Sequence, residues 1–128
     1  MNRVMVLLDA IRDHLDLHNL PRVVSVGVRD GADPITVQLA GSHLPDVARD
    51  LLAWAGSLDG VTASIWRVPS GNSVHVDIQG RTPCGLPVVV YSGVPFSEDL
   101  FPDLPAGARQ EMPVFVLRGW AKPEEVAA

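Results

Sequence analysis

Apolar and polar residues alternate between positions 61 and 79, and this pattern predicts a two-faced β-hairpin with its turn at 69–72. The predicted register pairs Arg67 with Val74, Trp66 with His75, Ile65 with Val76, Ser64 with Asp77 and Ala63 with Ile78. Because side chains alternate between the two sides of a strand, one face is dry and the other meets water or a ligand. The dry face carries Ala63, Ile65, Val74, Val76 and Ile78. The polar face carries Thr62, Ser64, Trp66, His75, Asp77 and Gln79.

A second hairpin of the same design is predicted for residues 23–29 and 35–40, which flank a connector rich in turn-forming residues. One register places six apolar residues on a single face: Val28 with Ile35, Val26 with Val37 and Val24 with Leu39. A near-continuous apolar run from Leu86 to Ser92 predicts a buried strand, which can pair antiparallel with residues 73–79.

Two amphipathic helices are predicted from apolar residues spaced three and four apart. The first covers residues 3–19, and its stripe is Val4, Leu7, Leu8, Ile11 and Leu15. The second covers residues 44–57, with Pro45 suited to its first turn. Its stripe is Leu44, Val47, Leu51, Leu52, Trp54 and either Ala55 or Leu58, so Trp54 is expected in the core.

The chain changes character after Gly93, where prolines become frequent. Residues 97–101 predict one helical turn, and Val114 to Leu117 predict a sixth strand at a sheet edge. The aromatic residues of this segment are too apolar for a free tail. We therefore expect a core domain at 1–94 and a C-terminal arm at 95–128, packed on the core or on a partner subunit.

These elements predict an α+β fold with a single antiparallel sheet of five to six strands. Two helices cover one face of this sheet, the element order is α-β-β-α-β-β-β, and an irregular Pro-rich C-terminal arm follows. The order resembles that of small acidic α+β adaptors, such as secretion chaperones and immunity-type inhibitors. This resemblance concerns the order of elements alone and carries little functional weight.

The composition of the chain restricts the kinds of partner that this predicted domain could bind. The 128 residues suit one domain, and the net charge is −5 with scattered arginines, which disfavours DNA or RNA as a partner. An acidic surface instead favours proteins with basic patches, or serves solubility. The single cysteine, Cys84, excludes an intramolecular disulfide and favours a reducing compartment. Asp9 interrupts the apolar N-terminus too early for a signal peptide, so a cytoplasmic location is expected, with no membrane association.

The sequence contains few residues that could take part in a chemical reaction. His75 and Asp77 point the same way, about 7 Å apart at their Cα atoms, as an acid–base pair would require. Ser64 lies opposite Asp77 rather than His75, so no nucleophile completes a catalytic set. The alternatives are a solvated sheet face and a protein-binding face, and both are favoured over catalysis because the sequence indicates no pocket.

Two other groups of residues could carry chemistry, but neither has the sequence context that such chemistry needs. His14 and His18 share one side of the first helix and could bind a metal with Asp13 or His43, but no further ligand stands at a readable spacing. Cys84 lies in a predicted loop near Arg81, without the context of a reactive thiol. We therefore expect no catalytic residue, no metal and no cofactor.

The sequence thus predicts a small acidic protein-interaction module, leaning towards no enzymatic activity: an adaptor, an inhibitor or a regulator, expected as a homodimer. Its predicted interaction face comprises Trp66, His75, Asp77, Ser64, Gln79 and Trp120. One alternative is a small-molecule binder or enzyme that uses the polar face around His75 and Asp77. The other is a structural subunit of a phage or secretion assembly, in which the arm packs on a neighbouring subunit.

Overall fold

The computed structural model describes residues 2–20 and 23–122, and within these ranges it forms three helices and one six-stranded sheet. The elements are α1 (Arg3–His18), β1 (Val23–Gly27), β2 (Ile35–Leu39), α2 (Leu44–Ala55), β3 (Asp59–Arg67), β4 (Ser73–Arg81), β5 (Pro87–Pro95), β6 (Arg109–Met112) and α3 (Phe115–Ala121). The α+β class predicted from the sequence is confirmed.

The β3–β4 hairpin has the predicted register. Trp66 pairs with His75 and Ser64 pairs with Asp77, as the alternation required. The turn is closed by Val68 and Ser73, and within it Gly71 adopts a positive φ of 83°, which glycine tolerates without strain. β5 pairs antiparallel with β4 along its length, so the predicted third neighbour is also confirmed.

The sheet is mixed, and the prediction of an antiparallel sheet is wrong at one junction. The strand order is β1-β2-β5-β4-β3-β6, and β2 runs parallel to β5. A hairpin fixes the direction of its own two strands through a short turn, but nothing in that turn fixes how two hairpins lie against each other. The long connection through α2, β3 and β4 allows β5 to return parallel to β2.

The β1–β2 pairing is confirmed at Val26 with Val37 and differs at both ends. A bulge between Val23 and Ser25 places Val23, rather than Val24, opposite Leu39. Val24 is consequently 63% exposed instead of lying on the dry face. β1 ends at Gly27, so the predicted pair of Val28 with Ile35 lies beyond the strand. A bulge shifts the register by one position on its far side, here before Ser25, and so reverses which side chain faces inward there.

All three helices contribute to one core against the dry face of the sheet, including α3, which the sequence did not predict. Trp54 of α2 is fully buried there, as predicted. In α1 the buried residues are Leu7, Ile11 and His14, whereas Leu8 is 37% exposed, contrary to its predicted place in the stripe. Asn19 ends α1 in the left-handed conformation, at the predicted stop.

The segment after residue 94 packs on the same core through Phe101, Leu104 and Leu117. Its strand is β6, paired with β3 at the sheet edge, and the predicted strand at 114–117 is wrong because Phe115 begins α3. Pro113 ends β6 since it has no N–H group for the ladder, and a four-residue apolar run cannot distinguish a strand from a helical turn. Residues 123–128 of the predicted arm lie outside the described ranges.

Candidate functional site on the polar face of the sheet

Three aromatic rings form a row across neighbouring strands on the polar face. Trp66 on β3 meets the edge of His75 on β4, with ring centroids 5.2 Å apart. His75 in turn stacks on Tyr91 of β5 at 5.4 Å and an interplanar angle of 23°. All three side chains are only half-buried, so this aromatic row offers its outer surface to a ligand.

The position of Gly93 explains how Tyr91 reaches His75. Directly opposite His75 on β5 stands Gly93, whereas Tyr91 stands opposite Asp77. Because Gly93 has no side chain, the Tyr91 ring can lean diagonally onto the imidazole. The Tyr91 hydroxyl also makes a long hydrogen bond of 3.5 Å to Gln38 Oε1 on β2, which extends the polar face towards the first hairpin.

A buried ionic network lies beside the aromatic row. Ser64 Oγ donates to Asp77 Oδ1 at 2.7 Å, and Arg109 Nη1 donates to Asp77 Oδ2 at 3.1 Å and to Ser64 Oγ at 2.8 Å. Asp77 and Ser64 are each 4% exposed, while about half of the Arg109 side chain meets solvent. A buried carboxylate is stable only when it is paired and hydrogen-bonded, and this network supplies both conditions.

The same network determines whether Asp77 could act with His75 as an acid–base pair. Both carboxylate oxygens of Asp77 accept hydrogen bonds, one from Ser64 and one from Arg109. The contacts of His75 are instead with the Trp66 and Tyr91 rings. A carboxylate that orients a catalytic histidine must accept a hydrogen bond from its ring nitrogen. The arrangement of these side chains therefore suits stacking and surface recognition better than proton transfer.

The six residues of the predicted interaction face do not form one surface. Trp66, His75, Asp77 and Ser64 come together as described, and Gln79 is exposed farther along β4, beside a cavity of about 310 Å³. Trp120 lies in α3, part of the helix layer behind the sheet, where its ring meets the edge of Phe101 at 5.7 Å.

Two residues of the site were missed by the sequence reading. Tyr91 lies within an apolar run, but the alternation of β5 could have placed it on the polar face, because Val88, Val90 and Val94 are buried on the other side. Arg109 had no comparable signal. Its strand is short and polar, and only its pairing with β3 brings the guanidinium to Asp77.

The contacts of the two histidines of α1 indicate a role in stabilising the fold. His14 Nε2 lies 2.9 Å from Ser57 Oγ, and Ser57 donates its hydroxyl proton to the Trp54 carbonyl at 2.7 Å. His14 Nε2 is thus the donor to Ser57. Burial, and after it the neighbouring His18, lower the pKa of His14 below 6.5. Among the described residues, no group of three or more His, Cys, Asp or Glu side chains is arranged to hold a metal ion.

Cys84 is exposed in the β4–β5 loop, with Thr82 Oγ1 3.1 Å from its sulfur. Arg81 points its guanidinium at the Gly85 carbonyl, 3.0 Å away, so this arginine helps to hold the loop closed.

None of the helices in the described ranges has the length and hydrophobicity needed to cross a membrane. Comparison with protein-family models, curated proteins and solved structures finds no match for this chain.

Proposed function

We propose that this protein is a non-enzymatic interaction module, an adaptor, inhibitor or regulator, that holds a segment of a partner protein on the polar face of its sheet. The observation that carries the proposal is the aromatic row of Trp66, His75 and Tyr91, which crosses three adjacent strands and is partly exposed. Within the described residues, the three helices lie on the other side of the sheet and leave this row open.

The physical chemistry of the row favours binding. Aromatic rings bury a large area while losing few rotatable bonds, so they dominate the energetics of many protein interfaces. The rings are already positioned by contact with one another, which lowers the ordering cost of association. Beside them, the hydrogen bonds among Ser64, Asp77 and Arg109 are internal. A partner that excludes water from this surface therefore leaves no new unpaired charge at Asp77.

The charge of the chain favours a partner segment that carries arginine or lysine. The net charge is −5, and Glu111 adds an exposed carboxylate opposite Ser64 on β6. A cation above the face of Trp66 or Tyr91 gains a further attraction of about 0.5–2 kcal/mol. A second copy of this chain is an alternative occupant of the face. The homodimer stays a prediction, and the molecular mass in solution tests it.

Site-specific photo-cross-linking in the native host tests the proposal. A benzoylphenylalanine at Thr62, exposed at the end of the polar face, should form a covalent adduct with the partner. The same group at Ala53, exposed on the helix layer, is the matched control and should give none of that adduct. An adduct of twice the chain mass identifies a second copy as the partner. Equal adducts from both positions, or none from Thr62, would contradict the proposal.

A further inference from the structure

A second surface of the molecule has the form of a ligand site. A groove of about 540 Å³ opens at the far end of the helix layer, between the start of α2, the end of β5 and α3. It is independent of the polar face, which lies on the other side of the sheet. Small-molecule sites usually have volumes of about 300–1,000 Å³ and a mainly apolar lining with a few polar groups.

The apolar wall of the groove is held in place by a chain of ring contacts. Trp120 meets the edge of Phe101 at 5.7 Å, and Phe101 stacks on Phe96 at 6.4 Å. The Arg67 guanidinium also lies over the Phe96 ring, 3.5 Å from its centroid. Trp120, Phe96 and the 44%-exposed Leu100 line the groove.

Arg67 itself is fixed by hydrogen bonds to two backbone carbonyls. Its Nε donates to Gly71 at 2.9 Å and its Nη1 donates to Leu104 at 2.8 Å. These bonds join the β3–β4 turn to the segment before β6 and lock the guanidinium over Phe96. The part of the wall formed by Phe96 is therefore held in place before a ligand binds, which lowers the ordering cost of association.

Lys122 places a cation at the rim of the groove, although the chain as a whole is acidic. Among residues 2–20 and 23–122, the ionisable residues that line the groove are His43 and Lys122, and no Asp or Glu of these ranges belongs to the lining. The nearest carboxylate of α2, Asp46, pairs with Arg49 on the outer side of that helix. The positive end of the α2 dipole adds to this field. Such a rim is complementary to one negative charge.

The geometry points to a binding site for a small amphipathic carboxylic acid. Its aromatic or branched aliphatic body lies against Trp120, Phe96 and Leu100. Its carboxylate lies at the rim, where the Lys122 ammonium and His43 face it. A carboxylate is ionised near neutral pH, so the site distinguishes it from an amide of the same shape.

Titration of the full chain with 2-naphthoic acid, followed by ¹⁵N-resolved NMR, tests this assignment. The indole N–H signal of Trp120 should shift in a saturable manner, while that of Trp66 stays in place. The neutral isostere 2-naphthamide should bind roughly tenfold more weakly, because it lacks the charge that Lys122 attracts. An equal affinity for acid and amide, or the absence of a saturable Trp120 shift, would overturn the assignment.

One lysine variant and one arginine variant distinguish binding at the groove from attraction by the net charge of the protein. Lys122→Met keeps the apolar stem and should weaken naphthoate binding roughly tenfold, with naphthamide binding unchanged. Arg118→Met removes an exposed cation from the same helix outside the lining, and it should leave both affinities unchanged. Equal losses in the two variants would show attraction by net charge and would refute a site at the groove. A Trp120 shift that depends on protein concentration without the probe would show that a second copy fills the groove, which also refutes it.

Discussion

Asp77 of β4 and Arg109 of β6 form an ion pair at 3.1 Å across the intervening strand β3. Ser64 of β3 lies between them and hydrogen-bonds to both partners. The three residues fasten the short edge strand to the central hairpin on the polar face. This contact links chain segments that are 32 residues apart, and it stands beside the aromatic row that we propose as the binding surface.

Arg109→Met should lower the free energy of unfolding by about 1–3 kcal/mol, because it leaves the buried Asp77 carboxylate with Ser64 as its partner. Urea unfolding measures the change. Adding Asp77→Asn to this variant should recover part of the loss, since a neutral amide does not require a counterion. Arg118→Met, at an exposed arginine of α3, is the matched control and should change stability by less than about 0.5 kcal/mol. If Arg109→Met had the same free energy of unfolding as the wild type, the ion pair would contribute nothing to stability.

His14 should make the stability depend on pH. Its pKa is lowered in the folded protein, first by burial and then by His18, so the unfolded chain binds a proton more readily. The free energy of unfolding should therefore fall as the pH drops below about 6.5, and level off below the folded-state pKa. In His14→Gln this loss should be smaller, whereas His43→Gln, at an exposed histidine, should retain it. Urea unfolding at about pH 7.5 and about pH 5.5 compares the three proteins. Identical losses in all three would refute this role for His14.

The alternation of the β3–β4 hairpin was sufficient to predict its register, because pattern and turn length both act locally. Trp54 was predicted as core for the same reason, from helical spacing. The parallel junction of β2 with β5 could not be predicted, since it depends on how two separate hairpins pack. Arg109 was missed because a four-residue polar strand carries no periodic signal, and α3 was mistaken for a strand because its first residues are a short apolar run.

Two tryptophans should respond differently to truncation. Trp54→Ala removes a fully buried ring and should cost about 3–5 kcal/mol of stability. Trp66→Ala removes a half-buried ring from the aromatic row and should cost about 1 kcal/mol. Urea unfolding of both variants tests the contrast. Equal losses would place Trp66 among the core residues and would weaken its assignment to a binding surface.

Two strand glycines form a second matched pair. A Cβ on Gly80 would lie 3.0 Å from Leu58 Cβ and 3.1 Å from the Asp59 carbonyl oxygen, so Gly80→Ala should destabilise the fold by about 1–3 kcal/mol. A Cβ on Gly93 would have its nearest contact at 3.5 Å, at Ser73 Oγ, and Gly93→Ala should therefore be neutral within about 0.5 kcal/mol. Thermal or urea unfolding distinguishes them. A neutral Gly80→Ala would mean that β3 and β4 can separate freely at this point.

If a partner is held on the aromatic row, the cross-link from Thr62 must depend on Trp66. Benzoylphenylalanine at Thr62 should give an adduct in the wild-type background that falls at least about tenfold with Trp66→Ala, the loss expected when an interface anchor is removed. Arg118→Met, at an exposed arginine of α3 on the other side of the sheet, should retain the adduct. An undiminished adduct in the folded Trp66→Ala protein would show that the aromatic row does not hold the partner.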